Sequence, residues 1–311
     1  MRNPDRAHDA HGHTDVGARI MLVVLCLIWG ITWPIMRIAL YEVPPLSMRT
    51  VTAALGAMTL YIFCRVQGHS LRVANAKAWV HITVVSLLSI VAFTVFGSFA
   101  QLTAATSRVT ILAYTMPIWA VLLAWLFLGE RPNRMQAIAL GLCAAGLAIL
   151  IYPLAATKIA PGIWLALLTG VCWAAGTVYF KWAQIKADPM GVTSWQVTIA
   201  FFATLACLLI FEGRLHFGAA HAAALWATAS TGILANGAAY GLWFAIIRRL
   251  PAATASLGVL GSPVIGVVGS MLILGERPTV ADLVGFALIF AASACVLLAR
   301  KAPVAATTPP T

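Results

Sequence analysis

A seven-residue motif occurs twice in this chain in nearly the same form. LFLGERP runs from Leu126 to Pro132 and LILGERP runs from Leu272 to Pro278, so the two copies are 146 residues apart. Upstream, Pro117 and Pro263 stand at the same offset from their copies. A five-residue identity inside matching apolar runs indicates an internal duplication, which constrains the fold more than a single motif would.

The composition of the chain excludes a water-soluble fold. The sequence is 61% hydrophobic and 9% charged, whereas a soluble domain carries about 25% charged residues. We therefore expect an all-α integral membrane protein whose partner is the lipid bilayer. The net charge of +11 does not indicate that the protein binds nucleic acid, because the basic residues are dispersed between apolar runs. The six cysteines lie within apolar runs without metal-ligand spacing, so no metal and no cofactor is expected.

The apolar runs are long enough to cross a bilayer, for which about 20 residues are needed. Prolines separate the runs, at positions where they begin or end helices at little cost. The pattern predicts ten transmembrane helices, at residues 19–40, 46–66, 78–102, 106–128, 134–152, 161–182, 190–212, 222–247, 251–274 and 279–299.

Each copy of the duplication then contains five helices, at residues 19–152 and 161–299. Because five is odd, the second copy would enter the membrane upside down. Inverted repeats of this kind are a recurring plan of secondary transporters, with the substrate site near the midplane. The polar stretches 1–18 and 300–311 are expected to be tails, of which the first is disordered.

The distribution of lysine and arginine predicts the orientation. With the N-terminus in the cytoplasm, most of the 20 basic residues fall at cytoplasmic helix ends. Both termini are therefore expected to be cytoplasmic, in the inner (plasma) membrane of a bacterium. The first LGERP would face the cytoplasm and the second would face outward.

Two segments of the first repeat and the repeated unit itself resemble those of a known protein family. IWGITWPIMRIAL (28–40), SMRTVTAALGA (47–57) and the repeated unit of proline, helix and LGERP resemble the EamA-type proteins of the drug/metabolite transporter superfamily. The resemblance covers essentially the whole chain after residue 18. It implies an inner-membrane carrier with a small-molecule substrate, here expected to be a monomer or a homodimer.

Aromatic side chains share one side of the first helix. Trp29, Trp33 and Arg37 are spaced by four residues, and Trp173 with Lys181 repeats the eight-residue spacing in the second half. This side could line a substrate cavity. Alternatively, the tryptophans lie in the interface belt and Arg37 extends to the headgroups.

Polar stripes on two further predicted helices supply more candidate substrate ligands. Gln101 belongs to such a stripe on the third helix, and Asn236, Tyr240 and Trp243 share a face of the eighth. Polar side chains in hydrocarbon need partners, so these faces should turn inward. They could line the cavity or form hydrogen bonds between helices.

Three arginines of the first repeat should lie toward the outer helix ends. Arg37, Arg49 and Arg108 have only one basic counterpart in the second repeat, and Tyr114 lies near Arg108 in the fourth helix. With few carboxylates nearby, they would form a positive vestibule for an anionic group, although snorkelling is the alternative. Glu130 and Glu276 are interpreted as partners of neighbouring arginines.

These patterns favour a secondary transporter, an exporter or exchanger of amino acids or organic acids that works by alternating access. A multidrug efflux carrier is the first alternative, but all nine carboxylates fall in tails, loops or helix ends. An intramembrane enzyme is a weaker alternative, because HExxH and clustered aspartates are absent from the sequence. A receptor or scaffold would not need an inverted duplication.

Overall fold

The structure, a computed structural model, describes residues 16–155, 160–218, 220–247, 249 and 258–298. All regular elements in these ranges are helices. The first helix begins at Val16, so part of the stretch expected to be a tail is helical. The rest of both expected tails lies outside the described residues, as does the start of the predicted ninth helix.

Thirteen α-helices and two π-helical segments are described in these ranges. They are α1 Val16–Leu40, α2 Pro45–Gln67, α3 Ala76–Ser86, π1 Leu87–Ala92, α4 Phe93–Thr103, α5 Thr106–Ala113, α6 Met116–Leu128, α7 Arg134–Ala155, α8 Pro161–Ala183, α9 Pro189–Phe211, α10 Ala222–Ser230, π2 Thr231–Ala238, α11 Ala239–Ile247, α12 Gly261–Leu274 and α13 Val280–Leu298.

Most of these helices belong to stretches with the length and composition of membrane spans. Eight helical stretches are long and apolar enough to span a bilayer, with α3–π1–α4, α5–α6 and α10–π2–α11 each forming one stretch. The shorter α12 and α13 are also apolar. The prediction of an all-helical membrane protein is therefore confirmed.

Three predicted helices are not regular α-helices throughout. The third and eighth each contain a π-helical segment, at Leu87–Ala92 and Thr231–Ala238. The fourth is broken between Ala113 and Met116. Pro117 explains this break, because proline lacks an N–H and its ring clashes with the carbonyl of the residue four positions earlier.

One end of the helix bundle, here called the Glu276 end, contains two carboxylates that bind helix N-termini. The Glu276 carboxylate accepts the N–H groups of Thr106 at 2.6 Å and Ser107 at 2.9 Å. At the start of α2, Glu212 accepts the main-chain N–H of Ser47 at 2.8 Å. The first N–H groups of a helix have no intrahelical partner, so these carboxylates satisfy them and complement the helix dipole.

The opposite end of the bundle, here called the Asp188 end, contains a second set of loop contacts. Asp188 caps α9 by accepting the N–H of Met190 at 2.9 Å, and its carboxylate contacts His69 Nδ1 at 3.0 Å. Glu130 pairs with Lys181. Neither glutamate of the repeated phrase therefore has the neighbouring arginine that was expected as its partner in the described chain. Main-chain N–H groups and a distant lysine take that place.

The most extensive helix–helix contacts join the two halves of the duplication. In the core, α7 packs along α13, α2 along α9, and α1 along α12. Small residues allow close approach: a Cβ added at Gly146 would lie 3.0 Å from the carbonyl oxygen of Gly285. This is how helices associate in a bilayer, where packing rather than water exclusion holds them together.

Candidate functional site

A cavity of about 130 Å³ lies between the two halves of the bundle. Its size limits an occupant to a small molecule. Helices from both halves contribute to its wall, together with both π-helical segments. Its lining residues are Trp29, Thr32, Trp33, Met36, Arg49, Ser89, Ile90, Phe93, Thr94, Tyr114, Met116, Trp173, Val197, Ala235, Asn236, Tyr240 and Val259.

Aromatic rings form much of this wall. Trp29 lies edge-on to Tyr240, with ring centroids 6.1 Å apart. Trp33 lies edge-on to Phe93 at 6.1 Å, and Phe93 in turn approaches Trp173 at 4.9 Å. These separations are typical of favourable aromatic pairs, so the rings support one another and hold a stable apolar surface.

The π-helical segments provide polar groups in the wall. π1 contributes Ser89, and π2 contributes Ala235 and Asn236. The Trp29 indole N–H donates to the Ala235 carbonyl oxygen at 3.3 Å. A π-helical turn shifts the backbone hydrogen-bond register and is frequent at functional sites. Hydrophobic periodicity gave no indication of either segment.

Arg49 is the one charged side chain that lines the cavity in the described part of the chain. The residue is 5% exposed. Its Nε donates to the Ser98 hydroxyl, and its Nη2 approaches the Met36 sulfur. Among the described residues, its guanidinium has no carboxylate partner within ion-pair distance. A buried cation with neutral neighbours is suited to receive an anionic group.

The other two arginines of the predicted vestibule lie away from the cavity wall. Arg108 pairs with Asp282, so the expectation that few carboxylates surround it is wrong. Arg37 donates to the main-chain oxygen of Gln101, and its guanidinium carbon lies 4.8 Å from the Tyr41 ring centroid. Each of the three arginines therefore has a different partner in the fold, and one of them, Arg108, is neutralised by its partner.

The remaining predicted residues divide between the cavity and its surroundings. Trp29, Trp33, Tyr114, Asn236 and Tyr240 line the cavity. The Gln101 side chain is fully buried outside the wall, and Trp243 lines a second cavity instead. Sequence reasoning missed Met36 and Phe93, which no pattern distinguishes from lipid-facing residues.

The second cavity, of about 290 Å³, adjoins the first. It shares Ser89, Ile90, Trp173 and Tyr240 with the central cavity. It extends to Phe180 and Pro189, beside Asp188. The second cavity therefore lies on the side of the central cavity that faces the Asp188 end of the bundle.

Two stretches of the chain, residues 17–152 and 160–298, match the model of the EamA-like transporter family. The chain belongs to this family. The resemblance stated from the sequence is therefore confirmed. EamA-like proteins are transporters, so membership indicates transport rather than enzymatic catalysis.

Relatives of this EamA-like protein in bacteria are named as transporters. The Bacillus subtilis "Uncharacterized transporter YvbV" is 28% identical over 92% of this chain and 93% of its own. A "Probable terminal-alkyne amino-acid exporter" of Streptantibioticus cattleyicolor is 25% identical over 86% of this chain and 89% of its own. A "Probable amino-acid metabolite efflux pump" of Salmonella typhimurium is 23% identical over 87% of this chain and 91% of its own. With the apolar helices, they indicate a multi-pass bacterial membrane protein.

Proposed function

We propose that this EamA-like protein is a secondary transporter that exports or exchanges small carboxylate-bearing metabolites, such as amino acids or organic acids. The observation that carries the proposal is Arg49, a buried guanidinium without a carboxylate partner in the described chain, in the wall of an aromatic cavity. One relative is named a probable terminal-alkyne amino-acid exporter and another a probable amino-acid metabolite efflux pump, which supports the same substrate class.

The carboxylate and the apolar part of the substrate would contact different residues of the cavity wall. The Arg49 guanidinium donates hydrogen bonds to the substrate carboxylate, in the bidentate geometry that arginine favours. The apolar part packs against Trp29, Trp33 and Tyr240. The Asn236 amide offers a donor and an acceptor to a further polar group, such as the amino group of an amino acid.

A multidrug carrier for cations is the weaker alternative. A cationic drug in a bilayer needs a carboxylate to pair with, and the described lining residues of the central cavity include none. An intramembrane enzyme is disfavoured in the same way, because the described residues of this wall include no paired acids.

The proposed architecture is ten transmembrane helices in two inverted five-helix repeats. Its support is the span Thr106–Leu128, whose first turn contacts Glu276 and whose last turn precedes Glu130. The two copies of LGERP therefore lie at opposite ends of one span. The helix pairs α2–α9 and α7–α13, which join equivalent helices of the two halves, support it as well.

We propose that transport proceeds by alternating access, which the arrangement of the two cavities supports. The second cavity extends toward the Asp188 end, whereas buried Met36 and Leu40 lie toward the Glu276 end. The charge distribution supports placing the Asp188 end and both termini at the cytoplasmic face of the inner membrane. This conformation would accept substrate from the cytoplasm, and rocking of the halves would expose it outside.

The experiment compares three probes that share a phenyl group: 3-phenylpropionate (anion), L-phenylalanine (zwitterion) and phenethylamine (cation). Binding to purified protein is followed by tryptophan fluorescence, since Trp29, Trp33 and Trp173 line the cavity. We expect Arg49→Gln to weaken 3-phenylpropionate binding about tenfold or more, and Arg49→Lys to weaken it less. Arg108→Gln is the matched arginine control and should leave the affinity unchanged.

Equal affinity of wild type and Arg49→Gln for all three probes, in protein that remains folded, would overturn the proposal. Metabolite profiling of cells with and without the protein then identifies the natural substrate. Uptake of that substrate into proteoliposomes completes the assignment.

A further inference from the structure

One turn of α4 lies between two arginine side chains. Arg49 Nε donates to the Ser98 hydroxyl, which in turn donates to the Thr94 carbonyl at 2.9 Å. Three residues further along α4, the main-chain oxygen of Gln101 accepts a hydrogen bond from Arg37 Nη1. The turn from Ser98 to Gln101 therefore connects the cavity arginine with the arginine at the end of α1.

The Gln101 side chain within this turn lacks any hydrogen-bond partner in the described chain. The residue is 0% exposed, and neither its amide nitrogen nor its amide oxygen is satisfied. The hydroxyls of Thr50 and Thr106 are orphaned in the same way. Burying polar groups without partners costs free energy that an apolar residue would not incur. A conformation that hydrates or binds Gln101 recovers this cost.

The orphaned amide belongs to the part of α4 that runs from the cavity wall, at Phe93, toward the Glu276 end. Met36 lines the cavity, is 2% exposed, and its sulfur lies 4.0 Å from the Ser98 hydroxyl. Arg37, beyond it, is half-buried and approaches Tyr41, which is 63% exposed. From the cavity outward, the order is therefore Arg49, Met36 with Ser98, Gln101 and Arg37.

We propose that Gln101 and Arg37 form a second carboxylate subsite, which the substrate occupies after Arg49 on its way to the Glu276 end. This inference rests on the proposed function, because it takes the same substrate class. When α1 and α4 separate at this end, the Arg37 guanidinium leaves the Gln101 carbonyl. Both Arg37 and the Gln101 amide N–H₂ then donate to the carboxylate, and Met36 is the barrier that moves aside.

The charges favour a carboxylate as the occupant. Both ends of the path present a guanidinium, and the amide between them supplies two further N–H donors. A cation would be repelled at each step. A carboxylate would pass from Arg49 to Arg37 and would keep a hydrogen-bond donor while it crosses the apolar barrier at Met36.

The first test is the accessibility of Gln101 in a variant whose six native cysteines are replaced by alanine. Gln101→Cys and Ala100→Cys form a matched pair, because both residues are 0% exposed and adjacent on α4. With a hydrophilic thiol reagent supplied at the Glu276 end, we expect Gln101→Cys to react at least tenfold faster. Equal lack of reactivity would overturn the subsite, since a merely structural Gln101 stays buried.

The second test asks for the chemical class of the occupant. We expect saturating 3-phenylpropionate to slow labelling of Gln101→Cys at least threefold, and phenethylamine at the same concentration to leave it unchanged. Protection by both probes or by neither would overturn the carboxylate assignment. The fluorescence assay on Arg49→Gln separates this failure from failure of the proposed function, because that assay reports only on the cavity.

The third test uses Gln101→Leu, which replaces the orphaned amide with an apolar group of roughly similar size. We expect a higher apparent Tm, unchanged binding of 3-phenylpropionate at Arg49, and at least tenfold slower transport in proteoliposomes. Gln101→Asn, which keeps the amide, should recover part of the rate. Wild-type transport by Gln101→Leu would contradict the inference, as would a parallel loss of binding and Tm.

Discussion

Arg108 and Asp282 form a two-point ion pair that joins α5 to the first turn of α13. Arg108 Nε donates to Asp282 Oδ1 at 2.7 Å, and Nη2 donates to Oδ2 at 3.0 Å. The aspartate is held in place by Thr279, whose main-chain N–H and hydroxyl both donate to Oδ2 at 2.9 Å. This reciprocal arrangement is a capping box at the start of α13. The pair is a structural link between the two repeats.

The first prediction follows from this pair. Arg108→Gln and Asp282→Asn should each lower the free energy of unfolding by about 1–3 kcal/mol, because each leaves a charged hydrogen-bonding group without its partner. The double variant should lose less than the sum, since the lost interaction is shared. Thermal denaturation in detergent measures this. Additive losses, or weaker 3-phenylpropionate binding in Arg108→Gln, would contradict a purely structural pair.

The second prediction concerns the cap that Glu276 provides to α5. Glu276→Ala removes both acceptors from Thr106 and Ser107, and should cost about 1 kcal/mol. Glu276→Gln keeps one acceptor and should cost less. The exposed neighbour Arg277 is the matched control, and Arg277→Gln should change stability by no more than about 0.5 kcal/mol. A larger loss in Arg277→Gln than in Glu276→Ala would restore the interpretation of a local ion pair.

The third prediction concerns the pH dependence of the α9 cap. Burial opposes ionisation of Asp188, but hydrogen bonds from His69, Gly191 and Met190 outweigh it and lower the pKa of this carboxyl. Because the folded pKa is depressed, the contribution is complete above the unfolded pKa of about 4 and is lost as pH falls through the folded value.

Asp188→Asn keeps the capping oxygen, removes the charge and replaces the oxygen that contacts His69 with an amide N–H₂ group. At pH 7 the wild type should be more stable than this variant by about 0.5–1 kcal/mol. The difference in Tm should shrink steadily as the pH is lowered below about 4. A difference that is the same at pH 3 and pH 7 would show that the charge contributes nothing.

The fourth prediction concerns the orientation of the repeats. Arg131→Cys and Arg277→Cys, in the background without native cysteines, should react with a membrane-impermeant thiol reagent from opposite faces. Arg131→Cys should react in inside-out vesicles and Arg277→Cys in right-side-out vesicles, as the positive-inside rule requires. Labelling of both from one face would refute the inverted repeats.

The cavity shows why part of the site could be predicted. Trp29 and Trp33, spaced by one helical turn, and Asn236 and Tyr240, spaced likewise, line it as a local periodicity suggested. Met36 and Phe93 also line it, but an apolar residue in an apolar helix gives no indication of which direction it faces. The partner of Arg108 lies 174 residues away, and only the fold brings it near.

The sequence by itself determined the membrane class, most of the helix positions and the duplication, because these depend on local composition, proline positions and a repeated phrase. Only the tertiary structure decided which arginine faces the cavity. Arg37, Arg49 and Arg108 are equivalent in sequence, but Gln101 accepts from the first and Asp282 from the third. Arg49 remains without a carboxylate among the described residues because its neighbours, Ser98 and Met36, are neutral. The positions of the π-helical segments are likewise visible only in the fold, because a shift in hydrogen-bond register does not change the hydrophobic periodicity of the sequence.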